Sequence, residues 1–83
     1  MGSLKNSPGV IGNAPIAYVT VKNVMCLLGC QRDLAYRTIR KINRLAKEKG
    51  NMTFPPGKAN KYTFAEQFDI PVELIDEVIG QEE

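Results

Sequence analysis

Arginine and lysine at positions 32, 37, 40, 44 and 47 are the residues whose type and spacing best define a chemistry in this chain. Steps of three and four bring the last four to one side of a helix, with Arg32 at its leading end. A guanidinium offers a planar fork of donors that matches phosphate oxygens and the O6/N7 edge of guanine, so the chemistry is recognition of a polyanion. Other chemistries lack their parts. Histidine is absent, and Cys26 and Cys30, four apart, cannot fill a four-ligand zinc site. Cys30 reads as a small core residue and Cys26 as a small helical one, with no disulfide expected in a reducing compartment. Ser3 and Ser7 have no base nearby, the carboxylates read as a solvated helix face, and Pro55-Pro56-Gly57-Lys58 lacks the spacing of a phosphate-binding loop. No enzymatic activity, metal, cofactor or small-molecule substrate is expected.

Charge divides along the chain. Through Tyr62 there are eleven Lys and Arg against Asp33 and Glu48, a local charge of +9; from Thr63 onward there are seven acids and no base, a charge of −7. Such separation suggests a polyanion-binding body with an acidic end facing elsewhere. With 83 residues, 43% hydrophobic and 24% charged, the composition is that of one small soluble domain. No apolar run approaches the roughly 18 residues of a membrane span, and the first residues lack the charged-then-apolar build of a secretory signal. An intracellular, cytoplasmic setting without membrane contact is the expectation.

The stretch from Thr20 to Gly50 must position the cations, and it reads as a helix-turn-helix. Val21, Val24, Met25 and Leu28 recur at helical spacing behind Thr20 as N-cap, and Val19 and Val24 have the spacing of a hydrophobic staple. Gly29 permits the reversal, since glycine adopts positive φ without steric cost. The second helix, expected over residues 32–49 and roughly 27 Å long, buries Ala35, Ile39, Ile42 and Ala46 and turns its charges outward. Its later half is expected to pack on the C-terminal segment. Gly50 provides its left-handed stop.

Around this unit, residues 1–15 are rich in Gly, Pro, Asn and Ser and are expected to form a disordered tail, while Ile16 to Val19 suits a short strand. Met52 to Phe54 and Tyr62 to Thr63 alternate like the arms of a hairpin, with a type II turn at Pro55–Lys58 and with Lys58, Asn60 and Lys61 near the tip. Thr63 and Glu66 have capping-box spacing, which predicts a short helix from there to Phe68. A last helix is predicted from Pro71 to Gly80, apolar at Leu74, Ile75, Val78 and Ile79 and wet at Glu73, Asp76 and Glu77. Residues 81–83 read as a C-terminal tail.

Thr20-Val21, Leu27-Leu28-Gly29, Gln31-Arg32-Asp33 and Tyr36-Arg37-Thr38-Ile39 resemble, nearly place for place, the helix-turn-helix of excisionase-like and MerR-like winged-helix proteins. The chain has Met25 where that pattern has alanine, and Gln31, a poor N-cap, where it has serine. The resemblance implies a mainly α winged helix-turn-helix over residues 16–80, with a short N-terminal strand, a small β-hairpin wing and an acidic C-terminal helix. It implies binding of double-stranded DNA, either as a DNA-bending accessory factor of a mobile element or phage that directs excision by an integrase or recombinase, or as a transcription regulator. A protein-interaction adaptor, docking the acidic helix on a basic partner, is the reading from another class.

For DNA binding, the expected base contacts are Gln31, Arg32, Asp33 and Tyr36, followed by Arg37 and Arg40. Gln pairs with adenine and Arg with guanine, while Asp33 either accepts from cytosine or orients Arg37. Thr20, Lys22, Lys41, Arg44, Lys47, Lys58, Asn60 and Lys61 are the expected phosphate contacts, which position the protein without reading sequence. Leu34 lies off the buried stripe and is either core or a contact to a thymine methyl.

Overall fold

The computed structural model describes residues 16–81; the expected tail at 1–15 and residues 82–83 of the expected tail at 81–83 lie outside the described residues, while Gln81 is not tail but the last residue of the final helix. The described chain is mainly helical. It runs β1 (Tyr18–Thr20), α1 (Val21–Leu28), α2 (Arg32–Glu48), β2 (Lys58–Asn60), α3 (Lys61–Phe68) and α4 (Val72–Gln81). No helix among these residues is long and apolar enough to cross a membrane.

The helix-turn-helix elements form where the local sequence places them. The Thr20 hydroxyl accepts from the Asn23 N–H at 3.2 Å and the Thr20 N–H donates to Asn23 Oδ1 at 2.9 Å, a reciprocal box that uses asparagine in place of the usual Glu or Gln. Val19 and Val24 are both fully buried, as a staple requires. Gly29 ends α1 at φ 63°, and the Cys30 N–H reaches back to the Met25 carbonyl. In α2 all four residues of the expected stripe are buried, and Thr38 joins them with its hydroxyl donating to the Leu34 carbonyl at 2.8 Å. Gly50, at φ 76°, follows the helix end. Ala35, Ile39 and Ile42 of the stripe meet Val19, Val24, Ala59, Phe64, Ile75 and Ile79 in one core. Complete burial of a residue such as Ile39 or Ile42 contributes about 1.5–3 kcal/mol, a large share of a small domain's margin.

The expected Met52–Phe54/Tyr62–Thr63 hairpin does not form. Instead β1 pairs antiparallel with β2, Tyr18 opposite Asn60, Val19 opposite Ala59 and Thr20 opposite Lys58, so the strands are joined across the whole helix-turn-helix. Val19 and Ala59 face the core together, as the two-residue period of a strand demands. The loop before β2 is held by side chains. Asn43 accepts from the Phe54 N–H at 3.3 Å and donates to the Lys58 carbonyl at 2.7 Å, and Asn60 donates to the Met52 carbonyl at 3.1 Å. Pro55 and Pro56 have no N–H to give a ladder. The turn at their end does form, with the Lys58 N–H on the Pro55 carbonyl and Gly57 at φ 91°, the positive φ of a type II turn.

The two C-terminal helices correct three further expectations. First, α3 starts at Lys61, because Asn60 Oδ1 accepts from the N–H groups of both Tyr62 and Thr63. Thr63 is thus inside the helix, where its hydroxyl accepts from Asn51 at 3.1 Å. Secondly, Pro71 lies just outside α4, its carbonyl accepting from Leu74 and Ile75, while Gly80 is inside. Thirdly, Leu74 is 46% exposed, and Ile75, Val78 and Ile79 alone of the expected face are buried. The later half of α2 does approach the C-terminal segment, through α3: Ile42 and Phe64 share the core, and Lys49, just past the helix end, pairs with Glu66 at 2.8 Å.

Candidate nucleic-acid interface

The buried stripe of α2 fixes which side of the helix is left open. At 100° per residue, Asp33, Arg37, Arg40, Arg44 and Lys47 fall in a row opposite that stripe, and each is exposed. Among the described residues no carboxylate lies within ion-pair distance of Arg37, Arg40, Arg44 or Lys47. Asp33 is therefore not bonded to Arg37, and the expectation that it orients that guanidinium is not met. Asp33, Tyr36, Arg37 and Arg40 together line an open depression of about 350 Å³ on the first half of the helix. Its floor offers one carboxylate acceptor, one phenol and two guanidinium forks to a ligand edge.

The N-terminal end of α2 is open as well. Gln31 precedes it in extended conformation and makes no side-chain cap bond, so the first-turn N–H groups are not occupied by it. Gln31 and Arg32 are exposed. Helical period puts Arg32 and Tyr36 on the flank shared with Asn43, and Lys41 on the other flank.

Asn43 is the residue that sequence reading missed. Half-buried at the edge of the stripe, it clamps the loop at Phe54 and the strand at Lys58 against the side of α2. A polar residue at the margin of an apolar helical face was the available signal. Lys58 then lies at the flank of α2 with its ammonium 4.8 Å from the centre of the Tyr18 ring, and Tyr18 in turn packs on Phe54. A cation over an aromatic face keeps its charge outward while its direction is fixed.

Two expected phosphate contacts are not available. Lys61 is 1% exposed, and its ammonium donates to Asp76 Oδ1 at 2.6 Å. It ties the start of α3 to α4. Asn60 is 7% exposed and all of its side-chain bonding described above is internal, to Met52, Tyr62 and Thr63. Neither residue is at a tip, because the hairpin that would have carried them there is absent. Thr20 is partly buried and committed to the cap, and Lys22 is exposed on α1. Leu34 is 46% exposed, which removes it from the core. Comparison of the chain with protein-family models, curated proteins and solved structures gives no match.

Proposed function

We propose that this protein binds double-stranded DNA by placing the first half of α2 in the major groove, with Lys58 and its loop as a small wing at the groove's edge. One observation carries the reading: Arg37, Arg40, Arg44 and Lys47 stand in a row on one face of α2 with no acid of the described chain to neutralise them. A helix fits the groove, and a row of unpaired cations along it finds its counter-charge in phosphates. Arg37 and Arg40 act on guanine edges and Asp33 on a cytosine amine, with Gln31, Arg32 and Tyr36 at the leading end. Arg44, Lys47, Lys41 and Lys58 hold phosphates.

An excisionase-like accessory role in a mobile element or phage is the biological setting that suits this reading, through the resemblance of Thr20 to Ile39 described above. Transcription regulation by the same contacts is the runner-up. The adaptor reading has its own support in Leu74, exposed on α4 beside Glu73 and Glu77. Mobility shift against random duplex separates the classes. Four phosphate contacts give a slope of log affinity against log salt of about −4. An adaptor shows no salt-sensitive binding to duplex, and that result would overturn the proposal.

A further inference from the structure

Leu34 is excluded from the core, which leaves the other role its position allows, a contact in the groove. It is nearly half exposed on a helix whose buried face is complete without it. Within α2 the exposed large hydrophobic residues are Leu34 and Tyr36, both in the first five residues, while the outward positions beyond them are charged from Arg37 to Glu48. Apolar exposure is thus concentrated at the end of α2 that enters the groove. On the helical wheel Leu34 lies about 60° to one side of Arg37, and Tyr36 lies to the other side. The backbone beneath Leu34 is fixed, since the buried Thr38 hydroxyl holds its carbonyl.

Among the groups of a major groove, the C5-methyl of thymine is the apolar one. It stands at the pyrimidine end of the base-pair edge, toward its own strand's backbone. A side chain set to one side of Arg37 can reach this methyl on a neighbouring pair while Arg37 holds purine N7 and O6 groups. We infer that Leu34 is a specificity residue that packs on a thymine methyl one or two base pairs from the pair read by Arg37. The inference rests on the duplex-binding reading and adds to it the identity of one base.

The test uses duplexes that the full chain enriches from a random library. Each thymine of the enriched site is exchanged singly for deoxyuridine, which removes only the methyl. One exchange is expected to weaken wild-type binding about fourfold, the equivalent of about 0.8 kcal/mol for one methyl, with the salt slope unchanged. In Leu34→Gln the thymine and deoxyuridine duplexes should bind alike, while Leu34→Met, which keeps an apolar side chain of similar reach, should keep the discrimination. Circular dichroism spectra of both variants should match wild type, because the position is exposed. An enriched site in which no exchange matters overturns the inference, as does a Leu34→Gln variant that still discriminates. Absence of salt-dependent binding to any duplex overturns the duplex-binding reading itself.

Discussion

The outward row of α2 and the short segment from Lys58 to Lys61 are both cationic in sequence, yet the protein uses their charges in opposite ways. In the α2 row the ammonium and guanidinium groups are exposed, and among the described residues no acid pairs with them. In the second segment Lys61 is fully buried against Asp76, and Lys58, three residues earlier, is half-buried with its ammonium over Tyr18. The difference follows from what each element packs against. α2 lies on an apolar core that supplies no acid, whereas the start of α3 lies beside α4, which carries Glu73, Asp76 and Glu77. Net charge therefore overstates the cations open to a partner, and each must be placed before it is assigned to DNA.

The comparison breaks most visibly at Asp76. Replacing it by alanine leaves the Lys61 ammonium buried without its counter-charge, and such losses cost about 3–5 kcal/mol when both partners are buried. Asp76 is half exposed, so about 2–3 kcal/mol is expected. Urea denaturation should show that loss, whereas Lys61→Met should cost less, because it leaves behind only a carboxylate that water reaches. Equal loss in both variants would mean that the geometry of the pair, and not the isolated ammonium, sets its worth. Neither variant should alter the salt slope of DNA binding when measured on the folded protein.

Arg37 is the sharpest probe of the other region. Its exposed position predicts that Arg37→Ala changes stability by less than about 0.5 kcal/mol. Its place in the depression with Asp33 and Arg40 predicts a loss of about 1–3 kcal/mol in binding, with relaxed preference at one base pair. An intact variant that binds its selected duplex as tightly as wild type would remove the groove-insertion reading. Asp33→Asn sharpens the same site in the other direction. It removes a charge that repels phosphate, so binding to random duplex should rise severalfold while discrimination at the cytosine falls, a pattern that competition assays resolve.

What was legible in the sequence was local. The α2 stripe, the Thr20 cap, the positive φ of Gly29 and Gly50 and the type II turn all depend on residues within four or five places of one another, and all are present. The failures are long-range. β1 and β2 are three residues each, too short to show a period, and they pair across some forty residues. Asn60 reads as a loop-tip residue because Tyr62 and Thr63, whose N–H groups it caps, also alternate like a strand arm, and Thr63 and Glu66 have capping-box spacing of their own. The partner of Lys61 is fifteen residues away on another helix, and nothing in a charge pattern announces it. For the site, the residues of the α2 row follow from period alone, while Asn43 and the position of Lys58 depend on a contact between helix and loop.

The smallest expected effect tests the wing. With Lys61 buried against Asp76, the proposed wing has one cation left for phosphate, so Lys58→Ala should lower the salt slope by about 1 and weaken all duplexes alike. The same variant removes a cation from the face of Tyr18, a contact worth about 0.5–1 kcal/mol at an exposed site, so a small loss of stability should accompany it. Lys58→Arg separates these contributions, because arginine keeps the charge and also stacks on aromatic rings. It should restore both the slope and the melting temperature. A slope lowered by about 2 in Lys58→Ala would mean that losing the Tyr18 contact displaces a second cation, and the wing would then act by holding shape as much as by charge. An unchanged slope would place the loop away from the phosphates and leave α2 to bind alone.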